Sequence, residues 1–477
     1  MPFRISARAA LLIGAALVAA PACADDLRGA LVSAYQTNPV LQAARAQQRA
    51  LDETVPIERA NGRPSASTTA TYTEIVDRTD STGLSPTRQF GANLSASVPI
   101  YTGGAFRNSL RAAETRVEAG QADLRGTESA LFSQVVAVYM DVIQNQAIAG
   151  LNRKNVDVLT VNLQATQDRF EIGDLTRTDV AQSQARLALA QGNARSAEAQ
   201  LANSRERYIQ LVGKAPVDLA PPPVLPGFPA SAAEAADYAL DHNPDLIAAR
   251  ERVRASQYDI NVASASRMPR VDAVAGGSYS NLLNSAGATF ANSSTGATVG
   301  VRATIPLFQG GRPAALRRQA QERSTAVMEG EIGTERNVIA QVRAAWSSWQ
   351  AANDVIASTQ TAVDAATLSL EGVRAENTVG NRTILDILNA EQELLNAQVQ
   401  LVAARRNAYV AGFSLLAAMG KAEANDLGLE GGVLYDPEVH YDAVRGRWND
   451  WANEPAPQTV STRTVDTPVQ TGAISPR

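Results

Sequence analysis

Between Phe90 and Ile100 apolar and polar positions alternate: Phe90, Ala92, Leu94, Ala96, Val98 and Ile100 are separated by Gly, Asn, Ser, Ser and Pro. A period of two places the first set on one face of a strand. The stretch PSASTTATYTEIV (64–76) precedes it across a polar loop holding Gly83 and Pro86, so strands are expected at about 64–76 and 89–101. An Ala-, Arg- and Gln-rich helix is expected before them, over roughly 27–61, ending at NGRP. Beyond Gly104 the period lengthens. Leu131, Val135, Val138 and Val142 step by 4, 3 and 4, the spacing of a coiled coil. The helical pattern has weak points at Gly120, Gly126 and Gly150 and runs to about residue 171. At 1.5 Å per residue such a helix would span on the order of 100 Å.

The whole pattern occurs twice. PIYTGG (99–104) returns as PLFQGG (306–311), and LVGKA (211–215) as AMGKA (418–422), each 207 residues later. NPVLQAARA (38–46) returns as NPDLIAARE (243–251), 205 residues later. The helical steps return as Val338, Val342, Ala345 and Trp349 and continue through Ala352 and Ile356. The strand face returns as Ala297, Val299, Val301, Ala303, Ile305 and Leu307, giving second-half strands at about 269–282 and 296–308. Repetition over so long a period marks a duplicated domain, not a short-period solenoid. Between the halves, residues 215–230 contain six prolines and read as an extended connector. The expected organisation is therefore 1–24, a signal peptide; 25–214, the first repeat; 215–230, the connector; 231–421, the second repeat; 422–452, a C-terminal segment; and 453–477, a Pro-, Thr- and Ser-rich tail expected to lack stable structure.

Composition narrows the class. Arg4 and Arg8, the short apolar run 9–20 and the small residues up to Ala24 have the form of a secretory signal, and the run is too short to span a bilayer. Cys23, the single cysteine, leaves with it, and AAPAC lacks the leucine three places earlier that lipid attachment uses. Removing two arginines and no acid takes the net charge from −5 to −7, modest and mixed, with no basic block for nucleic acid. The chain is 45% hydrophobic but only 5% aromatic, which suits long, alanine-rich, close-packed helices better than a thick core. His242 and His440 have no metal-ligand spacing around them, and there is no Walker A loop or dinucleotide fingerprint. Trp346 and Trp349 read as packing residues and His242 as a turn or capping residue. Nothing in the chain offers catalysis a foothold, so no enzyme is expected.

In an exported chain, strands of about ten residues with alternating faces fit an outer-membrane barrel as well as a half-wetted soluble sheet. Four strands cannot close, and an open edge cannot stand in lipid, so a membrane sheet would need several chains. Two chains give eight strands and a filled interior, three give twelve and a lumen. The rival is a soluble periplasmic coiled-coil adaptor or scaffold with no membrane strands.

One further pair of stretches carries the functional reading. RFEIGDLTRTDV (169–180) returns as AENTVGNRTILDI (375–387), with Gly173 and Gly380 207 residues apart, as are Asp179 and Asp386. With the duplicated halves, the strand pairs and the PIYTGG and PLFQGG turns, these stretches resemble the TolC family of outer-membrane efflux and secretion channels over roughly residues 27–421. The resemblance implies an α+β fold of duplicated helix–β-hairpin–long coiled-coil helix repeats. It implies a trimeric α-helical periplasmic tunnel topped by a twelve-stranded outer-membrane β-barrel, four strands per chain. It further implies a passive exit duct, without cofactors, for a tripartite efflux pump, a type I secretion system, or both. The partners implied are a periplasmic adaptor (membrane fusion) protein, an inner-membrane transporter (an RND pump or an ABC exporter) and outer-membrane lipid.

By the same resemblance the two glycine turns are adaptor-docking tips, formed by Ile172, Gly173, Asp174 and Leu175 and by Val379, Gly380 and Asn381. Thr178, Asp179, Asn377 and Arg382 match an entrance clasp, with Asn377 standing where the family has tyrosine. Asp386 matches a constriction ring whose second acidic position is Asn389 here, so a trimer would carry one ring of three carboxylates, with a weaker pull on cations. The residues themselves leave another reading open, in which Asp179 and Asp386 are acids near a helix N-terminus. For residues 422–452 the resemblance implies packing around the middle of the tunnel.

Overall fold

A computed structural model describes residues 25–77, 88–225, 227–283, 292–429 and 434–473. The expected signal peptide with Cys23, and the loop with Gly83 and Pro86, lie outside the described residues. Four strands form one antiparallel sheet in the order β1 (Ser65–Glu74), β2 (Arg88–Tyr101), β3 (Arg270–Leu283), β4 (Ser293–Thr304). Register decides the faces. Tyr72 pairs with Phe90 and Ala92 with Tyr279, while Ala275 pairs with Val299 and Ala273 with Val301. Because side chains alternate along every strand, Tyr72, Phe90, Leu94, Tyr279, Val299 and Val301 share one face. The other face carries Ser65, Ser67, Asn93, Ser95, Ser278 and Thr298, and Ser67 and Ser95 meet there through their hydroxyls at 2.9 Å. Apolar on one side and polar on the other, the sheet has unpaired edges at β1 and β4 within this chain. The strand expected over 296–308 ends at Thr304, where Pro306 has no N–H to give the ladder.

Helices continue from one end of the sheet, where Ser65, Tyr101, Arg270 and Thr304 lie together. Before β1, the expected single helix over 27–61 is three: α1 (Leu27–Thr37), α2 (Pro39–Asp52) and α3 (Thr54–Ala60). Asn38 caps α2 through Val40 N–H and ties the break to Leu211 O, both at 2.9 Å. The second break has a proline behind it. Pro56 removes the N–H that would bond to Asp52, whereas the second repeat carries Asn261 at the matching place and continues unbroken. There α6 (Ala232–His242) is followed by the single α7 (Pro244–Ala265). After each hairpin comes a 67-residue helix, α4 (Ala105–Glu171) or α8 (Arg312–Thr378), and then a 36-residue return, α5 (Arg177–Val212) or α9 (Ile384–Met419). Sixty-seven residues make about 100 Å of helix.

The glycines expected to weaken α4 do not interrupt it. At Gly120 a Cβ would lie 2.4 Å from Gln48 and Leu51 of α2, and at Gly126 2.8 Å from Asp245 of α7. They are where neighbouring helices come closest. The 4-3-4 positions Leu131, Val135, Val138 and Val142 are all buried. The main core gathers at mid-height, where α1, α4, α5 and α9 meet residues 422–429, around Phe132, Tyr139, Tyr208 and Phe413. Each such side chain contributes roughly 1.5–3 kcal/mol by leaving water. The Tyr139 hydroxyl, 2.6 Å from Ala220 O and 3.0 Å from Asp25 O, fixes the proline connector to this core. Below it α9 packs on both α4 and α8. Six residues of α8 are buried against twenty of its twin α4, so α8, like β4, faces outward from an edge.

The C-terminal segment is fitted to the helices. Ala422, Ala424 and Leu429 are buried in the main core, and α10 (Pro437–Val444) lies on α2. His440 Nδ1 meets the buried Asp52 carboxylate at 2.9 Å. Beyond it the described tail forms one short turn, Thr464–Asp466, and otherwise runs extended along α5.

Candidate functional site

At the end remote from the sheet, α4 turns into α5 and α8 into α9 by one construction used twice. Gly173 has φ 84° and Gly380 φ 82°, the left-handed region that glycine enters without a Cβ clash. Gly173 N–H bonds Phe170 O (3.0 Å) and Asp174 N–H bonds Arg169 O (2.9 Å), closing the last turn of α4. Gly380 and Asn381 repeat this on Asn377 O and Glu376 O, both at 3.0 Å. Ile172 and Val379, just before the glycines, are 80% and 71% exposed, so each tip presents an aliphatic side chain to its surroundings. Leu175 is half-buried.

The next helices start on matching capping boxes. Thr176 Oγ1 accepts from Asp179 N–H (3.3 Å), and Asp179 Oδ2 accepts from Thr176 N–H (2.9 Å) and its hydroxyl (2.7 Å). Thr383 and Asp386 reproduce this at 3.3, 2.9 and 2.8 Å. The threonine's hydrogen bonds hold both carboxyls below the usual range, the hydroxyl leading at Asp179 and the backbone N–H at Asp386.

Charge distinguishes the two tips. Arg169 pairs with Asp174 across the first glycine at 2.6 Å. Across the second, the arginine comes after the glycine, and Arg382 pairs with Glu376 at 2.7 Å. That hydrogen bond raises the Arg382 pKa. Asn377 donates to Arg382 O at 2.7 Å. The structure thus brings Asn377, Arg382 and Glu376 together in one tip. Thr178, exposed, and Asp179 belong to the other, and among the described residues no hydrogen bond joins them to Asn377 or Arg382 within the chain.

Two contacts above the tips were not read from the sequence. Arg186 of α5 donates to Asn389 Oδ1 of α9 at 2.7 Å, joining the two hairpins. Glu391, 6% exposed, accepts from Asn162 Nδ2 of α4 at 3.0 Å to each oxygen and from Arg374 of α8 at 3.0 Å. One carboxylate thereby ties three helices. The available signal was the disagreement between the repeats: Asn162, Arg374 and Glu391 answer to Ser369, Gln167 and Gln184.

Other expected residues have local explanations. His242 ends α6 with its ring stacked on Tyr238 at 4.0 Å, and Trp349 stacks on Phe228 at 4.3 Å. Among the described residues no cluster of His, Cys, Asp and Glu is arranged to hold a metal ion, and no helix is long and apolar enough to cross a membrane.

Comparison with known proteins places these features together. Residues 30–214 and 235–421 match the family described as outer membrane efflux protein, one match to each repeat. Outer membrane efflux protein BepC of Brucella suis biovar 1 (strain 1330) is 35% identical over 443 residues, covering 93% of this chain and 95% of BepC. Alkaline protease secretion protein AprF of Pseudomonas aeruginosa is 29% identical over 347 residues, 71% of each chain. The solved structure of the outer membrane protein VceC from Vibrio cholerae superposes with a TM-score of 0.69 at 22% identity, covering 83% of this chain and 96% of VceC.

Proposed function

The chain belongs to the outer membrane efflux protein family, and from that premise we propose that three copies build one exit duct across the outer membrane and the periplasm. The observation that carries this reading is a sheet with one apolar face and two unpaired edges, set at one end of helices about 100 Å long. Unpaired strand edges cannot stand in lipid, so β4 of one copy pairs with β1 of the next, and three copies close a twelve-stranded barrel with its polar face toward a lumen. The exposed α8 is covered in the same way by the neighbouring copy.

The duct is passive and catalyses nothing. An inner-membrane transporter supplies the energy, and a periplasmic adaptor couples it to the tips, where the exposed Ile172 and Val379 give a helical hairpin an apolar hold beside Gly173, Asp174, Leu175, Gly380 and Asn381. Residues 1–24 direct export and are removed. Relatives named for efflux and for protease secretion stand equally behind the pump and the type I exporter, and both use the same conduit. At the entrance, Arg382 holds the tip shut with Glu376 and Asn377, with Thr178 and Asp179 of a neighbouring coil as the facing side. Asp386 supplies one ring of three carboxylates and Asn389 none. Purification from outer-membrane vesicles followed by planar-bilayer recording tests the reading: a cation-preferring trimeric pore supports it, and a soluble monomer confined to the periplasmic extract overturns it.

A further inference from the structure

Among the described residues the tail past Trp451 contributes nothing to any apolar cluster, yet it is seated on the tunnel wall by specific contacts. Thr462 Oγ1 and Thr37 Oγ1 each lie 2.9 Å from the position a Cβ would take on Gly213, so the tail and the end of α1 close over the same turn from one side. Further along, Gln470 N–H donates to Glu206 Oε1 at 2.8 Å. Arg205 Nη1 donates to Thr471 O (2.5 Å) and Ala473 O (3.0 Å), and Arg153 Nη2 reaches Gly472 O at 3.4 Å. At Gly472 a Cβ would stand 2.2 Å from the carbonyl oxygen of Glu198, a backbone atom that cannot move aside. Glu198 is itself held by Arg153 at 2.8 Å and Arg195 at 3.1 Å. Recognition is therefore of backbone carbonyls by guanidinium groups, one from each helix, with a glycine where the two chains touch. Val460, Val465 and Val469 point away into solvent.

The other hairpin has none of these groups. At 207 residues' distance Arg153, Glu198, Arg205 and Glu206 are replaced by Gln360, Arg405, Gly412 and Phe413. Two helix pairs of common origin, alike at their tips, thus differ on this surface.

We propose that the groove between α4 and α5 is a peptide-binding surface whose resident occupant is this chain's own segment 460–473, a strap that closes one of the two duplicated helix pairs as the connector closes the other. Resting on the duct reading above, the consequence is that a helical partner gripping the trimer meets three α4–α5 grooves closed by the tail, whereas at the matching height of α9 Leu225 and Phe228 of the connector stand against Gly412. Two sites that duplication would have left alike are thus closed by different segments of the chain.

The test uses the full chain and a fluorescein-labelled peptide of residues 460–473. Gly472→Val should expel the resident tail. Wild type should then take up no peptide, whereas G472V binds it saturably at one per chain. The double variant G472V with Arg205→Ala should bind at least about tenfold more weakly, since hydrogen bonds from a charged donor are lost. Trypsin cleavage after Arg463 reports whether the tail has left, and is expected to be faster in G472V. Equal peptide binding by wild type and G472V, two peptides per chain, or equal cleavage rates would each overturn the proposal. No arm involves membrane or adaptor, so failure here leaves the duct reading standing.

Discussion

At the start of α5 a threonine and an aspartate three residues later exchange hydrogen bonds, and Thr383 and Asp386 do the same for α9. Replacing Thr176 by Ala is expected to cost about 1 kcal/mol locally, read as roughly fivefold faster amide exchange over 177–181, with exchange in α9 unchanged. Because both acids titrate below their usual range in the folded chain, the boxes hold above the ordinary carboxylate pKa. They are lost as pH falls through the lowered folded values. Protection of both helix starts should be full at pH 7 and should be lost only when the pH falls below the ordinary aspartate range. Glu128 behaves in the opposite sense. Burial, with Glu423 adding to it, pushes its carboxyl up to about 7, against the hydrogen bond from Ala424 N–H and the charge of Arg45. A raised carboxyl favours the fold most below its unfolded pKa near 4.5 and progressively less as pH rises to about 7. Thermal unfolding should therefore show a decline in stability between those values that Glu128→Gln flattens; an unchanged pH profile in E128Q would remove Glu128 from the account.

At the scale of elements, the regular alternation of Phe90 to Ile100 and the 4-3-4 steps of α4 made strands and long helices legible, because each follows from one period along one segment. What depended on partners was not legible. Gly120 reads as a flaw in a helix until Gln48 and Leu51 are seen beside it, and Gly120→Val should lower stability by about 1–3 kcal/mol by pushing α2 off α4. The break after Asp52 was there in Pro56 but hidden within a strong helical composition. In the sequence Glu391 is one acid among many in a helical segment. Its position among Asn162 and Arg374 follows only from how α4, α8 and α9 cross. Glu391→Ala strands their donors and should lower the melting temperature of the purified protein by more than any of the exposed glutamates, such as Glu393, does on the same substitution.

For the whole molecule, duplication explains why one chain supplies two hairpin tips and two strand pairs, and the edges explain why one chain is not enough. β1, β4 and α8 are all unfinished on the side where a neighbour would stand, and the same threefold closure completes each of them. At the tunnel mouth the tips differ where the repeats differ: Arg382 stands where the first tip has Leu175, and Asn377 where it has Phe170. Replacing Arg382 by Ser should raise single-channel conductance in planar bilayers, and unchanged conductance would remove Arg382 from the closed entrance. The central claim is more basic than gating. Native mass spectrometry of the protein extracted from outer membrane in detergent should give a complex of three chains, each close to 50.4 kDa less its first 24 residues; a single-chain mass, or recovery of the protein only from the soluble periplasmic fraction, would contradict it.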